Sequence, residues 1–301
     1  MTASTHTEIY RKLQSAPQPA RLNALPLWKA RVRVALKRKL PLLLLFVPPW
    51  ISAIVFSFVV YTKFTLEQGL GSPVGSGAAG MMVSAVATQI LQVQDQIVLF
   101  AKVSFAFALL CVNWFGAGLI CEDRRAGAHL LYFSRPLTRF DYFLAHFLTA
   151  FTFGAFVTIL PVMLICTVAV FSSPDYVFLI EKWSVIAGAL GYAVINVCVM
   201  SMIVLAISAL ASRKTYALGG VFAVVVGSEV LGKMLSVVQR DRDWSMIGVM
   251  MNLHRLADWL TSANQSRFDW NPWFSVAIVS GIALTCAWVV LRRLRKLEVV
   301  A

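Results

Sequence analysis

The sequence predicts an all-α membrane protein with six transmembrane helices. Of its 301 residues, 59% are hydrophobic and only 14% are charged, which is typical of a polytopic membrane protein rather than a soluble domain. Six apolar runs are each close to the roughly 20 residues that cross about 30 Å of hydrocarbon as a helix. These runs are residues 42–61, 97–120, 143–171, 184–211, 216–231 and 273–291. Glu229 and Lys233 make the outer end of the fifth run the least defined boundary.

The distribution of basic residues predicts how the helices are oriented. The formal net charge is +13, and most of the 27 Lys and Arg residues fall in residues 1–41, 121–142, 211–216 and 292–301. By the positive-inside rule these segments face the cytoplasm, so both termini are expected there, in the inner (cytoplasmic) membrane. With no soluble domain to hold it, the basic charge suits anionic lipid headgroups and does not indicate nucleic-acid binding.

The first 41 residues are expected to form a cytoplasmic tail and an interfacial helix, followed by a six-helix domain over residues 42–301. Residues 1–24 are polar and lack the apolar core of a cleavable signal peptide. In residues 25–40, apolar side chains share one face at helical spacing, and most basic side chains lie elsewhere. That pattern predicts a helix lying on the membrane surface, although simple basic flanking of the first span also explains it. The predicted interface residues are Trp28, Arg31, Val32, Leu36 and Arg38.

A second amphipathic element is predicted in the outer segment, residues 232–272. Met250, Leu253, Leu256, Ala257 and Leu260 recur at helical spacing. The segment is therefore expected to hold one or two short helices on or in the outer leaflet, ahead of the last span.

Signatures of an enzyme, a metal site or a cofactor site are not found. The four histidines are scattered, and the five cysteines lack paired spacing. Residues 227–233 match the start of a phosphate-binding loop, but Met234 stands where that motif requires Ser or Thr. Glu229 and Lys233, four residues apart on a helix, are instead expected to pair.

Polar residues inside the apolar runs mark either a substrate path or hydrogen bonds between helices. The candidates are Asn113, Asn196, Ser201 and Glu229.

The most unusual segment is the charged insert at residues 121–142, CEDRRAGAHLLYFSRPLTRFDY. Glu122 and Asp123 lie at the end of a span, where acidic groups oppose the helix dipole and gain nothing from it. A basic partner would explain them. Thr138 and Asp141 have the spacing of a capping box for the third span. From the residues alone, a docking surface and a solvated loop with a well-made cap both remain open.

The insert resembles the cytoplasmic loop of ABC-2 type transporter permeases. The resemblance rests on Glu122-Asp123-x-x-x-Gly127, then Leu130-Leu131, then the run from Ser134 through Pro136 to Arg139. The basic ending from Arg292 to Val299 is similar to the tail of these permeases. Six spans, with an interfacial helix before the first and an amphipathic segment before the last, agree with the family over nearly the whole chain.

The resemblance implies a permease subunit that forms the substrate path of an exporter. Two permease copies, identical or related, would pair, and separate ATPase subunits would bind ATP and Mg²⁺, so this chain itself has no cofactor and is not an enzyme. The residues expected to couple to the ATPase are Glu122, Asp123, Arg124, Arg125, Gly127, Leu130, Leu131 and Arg135. A stand-alone secondary transporter or channel is the alternative function, and an intramembrane enzyme or scaffold is a third.

Overall fold

A computed structural model describes residues 24–37, 39–70, 92–128, 138–174, 177–262 and 270–298, with backbone only at 66–70, 242 and 296–298. All regular structure in these ranges is helical. Six helical segments are long and apolar enough to cross a membrane, which confirms the predicted all-α polytopic fold. The spans are Lys39–Thr65, Val93–Arg125, Arg139–Ser172, Trp183–Leu210, Lys214–Val238 and Pro272–Arg295.

The helices occur in the following order along the chain. They are α1 Ala24–Leu36, α2 Lys39–Leu70, α3 Val93–Gly116, α4 Leu119–Arg125, α5 Arg139–Val157, α6 Ile159–Ser172, α7 Val177–Glu181, α8 Trp183–Leu210, α9 Lys214–Val238, a 3₁₀ helix Arg242–Ile247, α10 Val249–Leu260 and α11 Pro272–Glu298. The second span therefore consists of α3 and α4, and the third of α5 and α6.

Helix α8 forms the centre of the bundle. It packs against α3, α5, α10 and α11, and two thirds of its apolar window is buried. Small residues allow this close packing: a Cβ added at Gly154 of α5 would lie 2.6 Å from Val197 of α8 and 2.8 Å from Val112 of α3. By contrast α2, α9 and α11 bury less than a third of theirs, and their exposed apolar faces suit contact with lipid.

Helices occupy both segments in which the sequence predicted amphipathic helices. Helix α10 covers the predicted spacing, and its apolar face packs on α8 and α11. Helix α1 packs on α5 through Ala24 and Leu27, whereas Leu36, which the sequence grouped with its apolar face, is 49% exposed. The fifth span continues to Val238, two turns beyond the predicted end.

Candidate functional site

The second span is interrupted before it reaches the predicted coupling segment. Helix α3 ends at Gly116, and α4 begins at Leu119 after a two-residue break. A break inside a membrane helix leaves backbone groups that need partners. Ser208 of α8 supplies them: its hydroxyl oxygen accepts from the N–H groups of Ile120 (3.2 Å) and Cys121 (3.3 Å) and donates to the carbonyl of Ala117 (2.7 Å). Helix α4 is therefore capped by a side chain from the central helix and fixed in direction.

Helix α4 ends at a glycine that the sequence assigned to the coupling site. Gly127 has φ +66°, and its N–H donates to the carbonyl of Arg124. This left-handed conformation closes a helix and is easy only for glycine. A Cβ added at Gly127 would meet nothing within 4 Å, so the constraint at this position is conformational and not steric.

Asp123 joins α4 to two other helices. Its carboxylate forms an ion pair with Arg31 of α1 and accepts a hydrogen bond from the Tyr142 hydroxyl of α5 at 3.1 Å. The Nε2 atom of His146, one turn further along α5, lies 3.4 Å from the same carboxylate. Asp123 is only 4% exposed and His146 is fully buried. The basic partner that the sequence analysis called for at the end of this span is therefore present within the chain, at least for Asp123.

Arg124 forms a second link, to the end of α8. Its guanidinium donates to the carbonyls of Ala209 (2.9 Å) and Ala211. These carbonyls belong to the last turn of α8 and the residue after it, where helix acceptors lack internal partners and a cation is favourable. Arg124 is partly buried by this contact.

The remaining charges of α4 point outward. Glu122 and Arg125 are exposed, with no ion pair in the described ranges. Of the eight predicted coupling residues, these two are available to a partner through their charges. Asp123 and Arg124 fix the helix in place, and Gly127 ends it. Leu130, Leu131 and Arg135 lie outside the described residues.

Beyond α4, the third span starts with the predicted capping box. The Thr138 hydroxyl accepts from the N–H of Asp141 at 3.1 Å, and the Asp141 carboxylate accepts from the N–H of Thr138 at 3.2 Å. Both ends of the charged insert are thus anchored to helices.

The predicted interface residues of α1 divide between protein contact and exposure. The indole N–H of Trp28 donates to the Thr152 hydroxyl of α5 at 3.0 Å, and Val32 packs beside Phe46 and Phe153. Arg31 points into the bundle toward Asp123 instead of lying on the outer face. Arg38 lies outside the described residues.

The four candidate path residues do not form one site. Asn113 donates to the carbonyl of Leu218 at 3.2 Å and ties α3 to α9. Asn196 and Ser201 are fully buried on α8, without hydrogen-bond partners for their side chains among the described residues. These three lie at helix contacts within the bundle, and no hydrogen bond of the described chain joins any two of the four.

Glu229 closes the N-terminus of α10. One carboxylate oxygen accepts from the N–H groups of Met250 (2.5 Å) and Met251 (3.2 Å), where an acidic group is favourable. The residue before α10 is Gly248, and a Cβ there would lie 2.6 Å from this oxygen. The described structure shows no ion pair between Glu229 and Lys233, so the expected pairing is replaced by this cap.

At the opposite end of the bundle, a second charged cluster joins α3 to α10. Lys102 forms an ion pair with Asp258, whose side chain is 1% exposed. His254, one turn before Asp258, packs edge-on against Phe105. Burial, with a smaller contribution from the Lys102 ammonium, lowers the pKa of His254 to about 4, so its imidazole is neutral near pH 7.

Sequence reasoning missed Ser208, Tyr142, His146, Asp258 and the roles of Arg31 and Glu229. Only Tyr142 and His146 carried a local signal, since four residues apart on a helix they share a face. The other contacts join residues far apart in sequence.

Neither the protein-family models nor the curated proteins contain a match to this chain.

Proposed function

We propose that the chain is the membrane-spanning subunit of an ABC-2 type transporter, coupled to a separate ATPase that docks at α4. The observation that supports the proposal best is the construction of α4. It continues the second span, is capped by Ser208, and is fixed by Asp123 and Arg124 to three other helices. Its exposed charges, Glu122 and Arg125, face away from the bundle.

This construction suits the transmission of a movement. A force on the exposed side of α4 would act through buried, charge-assisted contacts on α1, α5 and α8. Packed helices respond to such forces as rigid bodies. Closure of an ATPase dimer beneath α4 would therefore rotate the spans and open the path to the other side, and ATP would supply the free energy.

The rest of the assembly follows from the same proposal. Two copies of the chain, or one copy and a related chain, would surround the substrate path, with both termini and α4 in the cytoplasm of an inner-membrane exporter. Helix α1 would lie at the inner membrane surface, where exposed Lys29, Arg33 and Lys37 favour anionic lipid. ATP and Mg²⁺ would bind only to the partner subunit.

The test is co-purification with charge reversal at exposed positions only. The chain is expressed with its neighbouring genes and purified in detergent without crosslinker. Glu122→Lys and Arg125→Glu should each reduce co-elution of the ATPase by tenfold or more, because reversed rim charges repel a complementary partner. Glu181→Lys, an exposed glutamate at the other end of the bundle, is the matched control and should leave co-elution unchanged.

A stable chain without any ATPase partner would overturn the proposal and leave a stand-alone transporter as the better explanation. An ATPase that co-elutes equally with Glu122→Lys, Arg125→Glu and the control would reject α4 as its docking site.

A further inference from the structure

A cavity of about 850 Å³ opens at the end of the bundle opposite α4. It lies between the first half of α3, the end of α9, the 3₁₀ helix and α10. The volume falls within the range of about 300–1,000 Å³ that is usual for small-ligand pockets. None of the candidate path residues lines it.

The walls of the cavity are mostly apolar and reach the lipid-facing surface. Leu99 and Val103 of α3 line it and are 49% and 39% exposed. Phe105 of α3 and Met250 of α10 extend the apolar lining inward. Because α3 is part of a membrane span, an apolar chain could lie along these residues without leaving the hydrocarbon layer.

Two residues that line the cavity, Asp258 and His254, each carry a buried polar atom without a hydrogen-bond partner among the described residues. One oxygen of Asp258 pairs with Lys102, but the other is buried and makes no hydrogen bond within the described structure. The Nε2 atom of His254 is also buried and also lacks a hydrogen-bond partner among the described residues. A buried acceptor of this kind costs free energy unless a donor reaches it. A ligand with N–H or O–H donors would therefore be favoured here.

The lining also contains two exposed charges of opposite sign. Asp95 lies in the first turn of α3, and Lys233 lies near the end of α9. Neither takes part in an ion pair in the portion of the chain that the structure describes. With Lys102 and Asp258 already paired, the lining has no net charge, which matches a zwitterion better than an anion.

The polar groups are arranged by depth. Asp95 and Lys102 are seven residues apart on α3, about 10 Å along the helix axis. The cavity thus offers charges near the end of the span and a paired charge with an unpartnered acceptor deeper inside. A zwitterionic headgroup carries two separated charges, a phosphate and an ammonium, which match charged groups at two depths.

We propose that this cavity binds a phospholipid of the surrounding bilayer with a zwitterionic, primary-ammonium headgroup, as in phosphatidylethanolamine. Lys233 pairs with the phosphate, and the ammonium donates to the free oxygen of Asp258. An acyl chain lies against Leu99 and Val103. The site is separate from α4 and does not depend on the proposed docking of an ATPase.

The headgroup chemistry gives a direct test. Native mass spectrometry of the detergent-purified full chain would measure binding of phosphatidylethanolamine, phosphatidylcholine and phosphatidylglycerol with identical acyl chains. Phosphatidylethanolamine should bind about tenfold more tightly than phosphatidylcholine, whose trimethylammonium has no N–H to donate. It should also bind more tightly than phosphatidylglycerol, whose net negative charge is repelled by Asp95.

Two variants and one control variant locate the binding. Val103→Trp fills the cavity mouth and should remove the preference for phosphatidylethanolamine, whereas Leu284→Trp, on the exposed face of α11, should retain it. Lys233→Gln changes only an exposed side chain and should weaken phosphatidylethanolamine binding about fivefold even if Val103→Trp does not fold. Equal binding of the three lipids by the unaltered chain, or a preference that Lys233→Gln leaves unchanged, would overturn the proposal.

Discussion

The ion pair between Arg31 and Asp123 should be energetically coupled, and a double-mutant cycle would measure the coupling. The two side chains are 24% and 6% exposed, so the pair is more protected from water than a surface salt bridge. Removing one partner of a fully buried pair costs about 3–5 kcal/mol. Because Arg31 keeps access to water, we expect about 2–3 kcal/mol for Asp123→Ala and about 2 kcal/mol for Arg31→Ala.

The double variant Arg31→Ala/Asp123→Ala should cost less than the sum of the two single changes. We expect a coupling free energy of about 1.5 kcal/mol, since the second change removes a charge that the first has already left unpaired. Asp123 also accepts from Tyr142, which explains why Asp123→Ala is the more costly single change. The assay is unfolding in mixed micelles with increasing sodium dodecyl sulfate, followed by loss of helical circular dichroism.

The neighbouring residue provides a matched control for this cycle. Glu122 precedes Asp123 on the same helix but is exposed and has no ion pair among the described residues. The cycle of Arg31→Ala with Glu122→Ala should be additive to within about 0.5 kcal/mol. If the Arg31 and Asp123 changes were equally additive, the contact would not hold α1 to α4 and the reasoning would be wrong.

Two further predictions concern the end of α4 and the opposite cluster. Gly127→Ala should weaken association with the ATPase about fivefold, because alanine strains the left-handed conformation by about 1 kcal/mol. Gly127→Asn should weaken association less than twofold, since asparagine adopts this conformation more readily. Equal losses of affinity for the two variants in a co-elution titration would contradict the prediction. His254 has a pKa of about 4 in the folded chain, below the ordinary value near 6.5. Between these two values the unfolded chain binds a proton at His254 more readily than the folded chain does. The free energy of unfolding should therefore be highest above pH 6.5 and fall by about 3 kcal/mol in total as the pH drops toward 4. The melting temperature in detergent should therefore fall less between pH 7 and 4.5 in His254→Gln than in the unaltered chain, and parallel pH profiles would refute the assignment.

The features that the sequence predicted correctly are encoded locally. A span needs only length and hydropathy, so all six were found. The capping box at Thr138 and the helix Val249–Leu260 depend on residues within a few turns of one another. For such features the pattern in the sequence is the physical cause of the structure.

The features that were missed depend on contacts across the bundle. Arg31 was assigned to the membrane surface because helical spacing shows which face of α1 it occupies. The spacing does not show that Asp123, 92 residues away, lies against that face. Glu229 and Lys233 had the right spacing to pair, yet the carboxylate gains more from two backbone N–H groups of α10. Nothing in the sequence marks Ser208 as the cap of α4, because the backbone groups that it contacts lie 87 to 91 residues away. No local pattern specifies these partners.

The mass of the native complex would show whether this chain couples to a separate ATPase. Light scattering of the detergent-purified assembly, corrected for bound detergent, would give its subunit composition. We expect two membrane chains, each of 33.3 kDa or one of them a related subunit, together with two ATPase subunits. A particle that contains only this chain, purified from cells that also express its neighbouring genes, would contradict the proposed coupling.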